Sequence, residues 1–344
     1  MKRLLMLLIA VCVVFVLMPL TERAKTEKTE KPQKAETVQK QETTEKSEAT
    51  TEKPEETKSK LPDRTARFAT ISSSLGGNIA MNFYVELSDD LRKNPEAYMQ
   101  FLFADETLQI PLSHGISAKK DGTTVYVFSC PIAAKNITDE VTAQVCDEAG
   151  AVGESKTMSV AAYCKWVIEN YNDPDTVALM EAILNYGASA QSLFGYRTEN
   201  LANAVLAEND RVLPPADASA YAHSVSGTEA GIQPVSYTLV LDSVITVRIY
   251  FALTGSKTID QYIFTVDGER VTPVFKDGRY YVEKQDIPAQ YLEESYVFTC
   301  GGITIHYSGM SYVNQVMNKY QEGPLFDMAS ALYAYAKAAE AYIG

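Results

Sequence analysis

Between Thr65 and Cys146 apolar positions alternate with polar ones, the period of a half-buried strand. Asn78–Leu87 (NIAMNFYVEL) sets Ile79, Met81, Phe83 and Val85 on one face and Tyr84 on the other. Ala97–Ala104, Thr107–Leu112, Thr123–Pro131 and Val141–Cys146 are further short β runs, parted by breaks such as Asp121-Gly122. Strands at this spacing predict an antiparallel sandwich rather than a βαβ sheet.

The period then lengthens. Val160–Tyr171 brings Tyr163, Trp166, Val167 and Ile168 near one another, as a helix does. Asp173 is placed to cap a second helix, with Pro174 at its first position. Met180, Ile183, Leu184, Gly187, Ala190, Gln191 and Phe194 recur at helical intervals, and Gly195 is placed to end the run. The small residues Gly187, Ala188 and Ala190 leave room for another element to approach closely. The short break at Asn172–Asp173 makes the two helices a hairpin.

This order returns. Val244–Leu253 aligns without a gap on Asn78–Leu87, with Ile79/Ile245, Tyr84/Tyr250 and Leu87/Leu253 identical. Phe264–Pro273, turning at Asp267-Gly268, follows Phe101–Ile110, and Tyr280–Cys300 follows Tyr126–Cys146. Tyr163 answers to Tyr312, and the closing helix ending LMEAILNYGASAQSLFG (Leu179–Gly195) answers to MASALYAYAKAAEAYIG (Met328–Gly344). The expected fold is α+β: two tandem copies of an antiparallel β-sandwich-like unit, each closed by a C-terminal helical hairpin. Copy one is 65–196 and copy two is 235–344. The connection 197–234 contains Pro214-Pro215 and reads as linker.

Ahead of the copies stand two segments of other character. Lys2 and Arg3 precede an apolar run from Leu4 to Leu17, the pattern of a secretory signal, so 1–24 is expected to be a cleaved signal or a retained N-terminal anchor. Residues 25–64 are mostly Thr, Glu, Lys, Gln, Ser, Ala and Pro, too polar to bury a core, and are expected to form a disordered stalk.

Charge narrows the partners. The chain carries 31 basic and 44 acidic residues, a formal net charge of −13. Residues 65–344 hold 18 of the basic and 33 of the acidic residues, a formal charge of −15. Such a surface repels phosphate backbones and anionic lipid, so no nucleic acid is expected as a partner. Contact with a membrane is expected only through the N-terminal segment.

Candidate chemistry is sparse. His114, His223 and His306 stand in no metal-ligating spacing, and no cofactor or metal site is expected. No G-x-S-x-G elbow is present, and Leu75-Gly76-Gly77-Asn78 enters a strand rather than a helix. Asp89-Asp90, Asp147-Glu148, Asp173/Asp175 and Glu293-Glu294 are acid pairs, but neighbours in sequence do not make two carboxylates face one cleft. Cys146 and Cys300 fall at matching places, which argues for buried thiols; a Cys130–Cys146 bridge is the alternative.

All 21 tyrosines fall in the folded part. A rigid ring with a polar tip suits recognition. Tyr84, Tyr250 and Tyr333 are the candidate binding residues: the first two point away from the Ile/Phe face, and Tyr333 lies off the stripe of Tyr335, Ala339 and Tyr342. The alternative for Tyr84 and Tyr250 is that they cover a strand–helix interface.

Gly76–Asp90 (GGNIAMNFYVELSDD), Val125–Val145 and Thr176–Tyr196 together resemble a module repeated in large secreted and surface proteins of Gram-positive anaerobic bacteria. The resemblance implies export and a surface role rather than a reaction, and some proteins of this general kind bind immunoglobulin. The expected function is therefore non-catalytic binding of an extracellular protein, immunoglobulin among them, or a glycan, at the cell surface or after secretion. An extracellular hydrolase acting on glycans and a structural envelope spacer are the alternatives.

Overall fold

The computed structural model describes residues 61–74, 78–103 and 106–343, together with the strand Met18–Pro19. The expected signal and stalk, and the Gly76-Gly77 turn, otherwise lie outside the described residues. The fold is α+β. Four antiparallel sheets and five α-helices make up the described residues.

The first half begins with β1 (Met18–Pro19), β2 (Ala66–Ser74), β3 (Ala80–Leu87) and a short helix α1 (Asp89–Lys93). It continues through β4 (Tyr98–Phe103), β5 (Glu106–Pro111), β6 (Ile116–Lys120), β7 (Thr123–Pro131), β8 (Val141–Asp147) and β9 (Gly150–Met158). Helices α2 (Val160–Asn170) and α3 (Pro174–Phe194) close it. One sheet runs β1-β2-β3-β7-β6 and the other β5-β4-β8-β9. Their apolar faces meet where Phe83 of β3 approaches Phe101 of β4, ring centres 5.5 Å apart. Both rings are fully buried, each worth about 1.5–3 kcal/mol in apolar transfer.

The second half has β10 (Ser224–Ser226), β11 (Ile232–Leu241), β12 (Ile245–Leu253), β13 (Phe264–Val266), β14 (Glu269–Val271), β15 (Val274–Lys276) and β16 (Arg279–Lys284). After β17 (Tyr296–Cys300) and β18 (Ile303–Tyr307) come α4 (Gly309–Lys319) and α5 (Pro324–Ile343). Its sheets run β11-β12-β16-β15 and β10-β18-β17-β13-β14. Phe251 of β12 meets Phe264 of β13 edge-on at 5.2 Å, again joining the two apolar faces.

Local chemistry sets many boundaries. Three Asp-Gly pairs, Asp121-Gly122, Asp267-Gly268 and Asp277-Gly278, have positive φ at both residues, which the tightest hairpin turns require. The Asp173 carboxylate accepts from the Thr176 amide at 3.0 Å, and Gly195 ends α3 in the left-handed region at φ 60°. Ser308 and Ser311 cap α4 reciprocally. Ser311 is thus part of a helix start.

Three strands of the first half, β2, β6 and β9, fall outside the short β runs expected from the sequence. In β2 the register shifts between Phe68 and Thr70, which breaks the period. Strands β6 and β9 are exposed sheet edges, and β9 buries Val152 alone to 2% exposure, so neither needs an apolar face. The 197–234 connection is also more structured than its composition suggests, with three 3-10 turns and the edge strand β10. Gln191 on α3 holds it: Nε2 donates to the Asn200 carbonyl at 3.0 Å, and Oε1 accepts from the Ala202 amide at 2.8 Å. At the far end His223 Nδ1 lies 3.1 Å from Gln315 Nε2, and its ring packs 4.8 Å from that of Tyr237.

Helices α3 and α5 pack on each other between the halves. At their crossing the rings of Tyr186 and Tyr335 stack with centres 5.3 Å apart and planes 23° apart. The close approach reserved for Gly187 is taken up by the 3-10 turn at Ala134–Asn136: an added Cβ would stand 2.1 Å from Ile137 Cδ1.

Candidate recognition surface

Strand β12 sends Val247, Ile249 and Phe251 into the core at 0% exposure, so Arg248 and Tyr250 project from the opposite face. Register brings partners to them from β16: Glu283 stands opposite Arg248, and Tyr281 opposite Tyr250. Arg279, two residues before Tyr281, shares their face.

These side chains form a continuous ladder. Arg248 donates from Nε to Glu283 Oε2 at 2.9 Å, with Nη2 2.7 Å from the same oxygen. Its guanidinium lies 4.0 Å from the centre of the Tyr281 ring. Tyr281 in turn meets Tyr250 at 5.5 Å, and Arg279 covers Tyr250 at 5.1 Å. A guanidinium over a ring face is worth about 0.5–1 kcal/mol where exposed and about 2 or more where desolvated. The Arg248–Glu283 pair is largely covered, at 16% and 17% side-chain exposure, while Arg279 is exposed. Arg279 Nη1 also donates to Ser236 Oγ at 3.4 Å. Next to the ladder, the β15–β16 hairpin exposes Val274 and Phe275, the latter by 61%.

The three tyrosines singled out in the sequence have different fates. Tyr250 is half-buried at the centre of the ladder. Tyr84 is 3% exposed, with Ser72 Oγ donating to its hydroxyl at 3.3 Å, and burial pushes that hydroxyl up to about 12. It therefore offers no contact face. Tyr333 is half-buried on α5 with Lys337 Nζ 6.0 Å from its ring centre. The structure does not join the three into one surface. Sequence reasoning missed Arg248, Arg279, Tyr281 and Glu283. Their signal was present in the alternation of VITVRIYF and RYYVEK, but only once the two strands are set in register.

The acid pairs have structural work. Asp147 bonds Arg64 Nε at 2.8 Å and the Ala149 amide at 2.9 Å. Asp90 accepts from the Arg64 amide at 2.7 Å. Glu293 binds Lys337 and receives the Tyr221 hydroxyl at 2.6 Å. A cavity of about 420 Å³ beside α3 and α5 has Asp327 as its single carboxylate and Arg211 as its single cation. His306 is exposed on β18 and His114 exposed in a 3-10 turn. Among the described residues no group of three or more His, Cys, Asp or Glu converges as metal ligands would. No helix among them is long and apolar enough to cross a membrane.

Cys130, Cys146, Cys164 and Cys300 are all free and buried, so no Cys130–Cys146 bridge forms. Burial pushes the thiols of Cys130, Cys164 and Cys300 up to about 12, which makes them poor nucleophiles. No protein-family model matches this chain, and no curated protein does.

Proposed function

We propose that this chain is an exported, non-catalytic recognition protein whose contact surface is the outer face of the β11-β12-β16-β15 sheet. The observation that carries this reading is the Arg279–Tyr250–Tyr281–Arg248 ladder, a cation–aromatic platform on a chain of formal charge −13. Tyr281 is itself buried, at 7% exposure, and backs the contact edge formed by the half-buried Tyr250 and the exposed Arg279. A rigid ring under a guanidinium binds at low entropy cost and suits a protein surface or a glycan. The partner is an extracellular protein, with immunoglobulin as one candidate, or a glycan.

On this reading the body is two copies of one sandwich-like unit, each closed by a helical hairpin. The matching strand orders β2-β3-β7-β6 and β11-β12-β16-β15, the matching β5-β4-β8-β9 and β14-β13-β17-β18, and the paired helices support it. So do Ile132/Ile287 and Ala134/Ala289, which occupy like positions around like 3-10 turns. The copies differ on the outer face. Where the second has Arg248, Tyr281 and Glu283, the first has Asn82, Val127 and Ser129. The charged platform is special to the second copy.

Engagement of the acid pairs in caps and ion pairs favours recognition over a glycan hydrolase. The test is a screen of the full chain on immunoglobulins, host surface proteins and glycan arrays, followed by Tyr250→Ala with Arg279→Ala. The double variant is expected to weaken any binding found by about 1–3 kcal/mol, the scale of interface anchors. Lys119→Ala, at the corresponding edge of the first half, is expected to change nothing. Binding that survives the double variant intact sinks the assignment of this face.

A further inference from the structure

Beside the crossing of α3 and α5 lies a small cavity of about 10 Å³. Asn78, Ile79, Ile132, Ala134 and Tyr186 line it from the first half, and Asp242, Ser243, Ile245 and Tyr335 from the second. Two of these lining residues carry a buried polar atom that no protein group satisfies, Asn78 Oδ1 and Tyr335 Oη. Tyr335 is 1% exposed. A buried hydroxyl or carbonyl without a partner costs about 1–3 kcal/mol, so two beside one cavity call for an explanation.

We propose that this cavity is a binding site for one water molecule, which bridges the two halves by accepting from the Tyr335 hydroxyl and donating to Asn78 Oδ1. The volume suits it, since a cavity of about 10–15 Å³ holds a single water. The chemistry selects water over a cation. Asn78 Oδ1 needs a donor, whereas the Tyr335 hydroxyl hydrogen needs an acceptor. Water supplies both, and a cation would leave the hydroxyl hydrogen unpaired. Asp242 and Ser243 line the same cavity and put further oxygens at its wall. The site stands between Ile79, the residue just before β3, and Ile245, the first residue of β12, so the bridge fixes how one half sits against the other. It does not depend on the recognition face.

The two single variants Tyr335→Phe and Asn78→Ala and their double, made in the full chain, test the bridge by thermal unfolding. Each single variant is expected to lower Tm by about 2–4 °C, and the double to fall no further than the worse single, because either change breaks the same bridge. If no water bridges them, Tyr335→Phe removes an unpaired hydroxyl and leaves Tm unchanged or higher, and the effects add; either result overturns the proposal. A high-resolution crystal structure of the unaltered protein decides independently of folding. Solvent density within hydrogen-bond distance of both atoms supports the bridge, and a cavity closed by direct contact, or density bonded to neither atom, refutes it.

Discussion

Tyr186 and Tyr335 stack ring on ring at 5.3 Å, at the shared centre of the α3–α5 crossing. Both are nearly fully buried, at 3% and 1% exposure. Desolvation raises the ionisation of each hydroxyl far above the ordinary tyrosine range. Neither ring could reach its partner within its own half. The contact is a property of the pair of halves.

Replacing Tyr186 with alanine empties one side of that stack. The expected cost is about 3–5 kcal/mol of unfolding free energy, the range for a large buried aromatic cut to alanine. Urea denaturation followed by tyrosine fluorescence measures it, and a loss below about 1 kcal/mol would mean that the crossing carries little of the fold's stability.

Gly187→Ala sets two effects against each other. Helix propensity favours alanine by about 1 kcal/mol. The new methyl, however, would stand 2.1 Å from Ile137 Cδ1 and 3.2 Å from the Ala134 carbonyl, and overpacking of this kind costs about 1–3 kcal/mol. The variant is expected to be less stable, and pairing it with Ile137→Val should recover part of the loss. A more stable Gly187→Ala protein would contradict the close contact.

Along the ladder, stability and binding should separate. Arg248→Ala leaves the Glu283 carboxylate with Gln285 as a donor but without its cation, and uncovers Tyr281, at an expected cost of about 1–3 kcal/mol. Arg279 is exposed, and Arg279→Ala is expected to stay within about 0.5 kcal/mol of the parent. Denaturation midpoints for the two variants, read beside their binding, distinguish a structural arginine from a contact arginine.

Alkaline pH should unfold the protein through its buried tyrosines. Desolvation holds Tyr163, Tyr186, Tyr307 and Tyr335 well above the usual range, and Tyr84 and Tyr296 are pushed up to about 12. In the unfolded chain a tyrosine ionises near about 10. Between those values the folded state keeps protons that the unfolded state has lost, so stability is full below about pH 10 and declines as pH rises beyond it. Tyrosinate absorbance is expected to show an early exposed class and a late class that appears together with unfolding. A single class titrating before any loss of structure would contradict the burial.

What the sequence determined by itself is local. Alternation placed Thr123–Pro131 as a strand, and three- and four-residue spacing placed Pro174–Phe194 as a helix. Asp173 and Gly195 marked the ends of that helix because a cap and a left-handed residue are requirements of the backbone itself. The recurrence of Ile79 and Tyr84 as Ile245 and Tyr250 was visible in the same way. Edge strands β6 and β9 were not, because a strand that buries little needs no apolar period. Only the tertiary structure decided which tyrosine faces solvent: Tyr84 and Tyr250 hold matching places, yet one is buried beside Ser72 and the other carries Arg279 on its ring. Likewise Arg248 meets Glu283 across 35 residues of chain, through a register that hydrogen bonding between strands sets. Periodicity records which face of an element is apolar. It does not record what the opposite face will meet, because that depends on contacts between residues far apart in the chain.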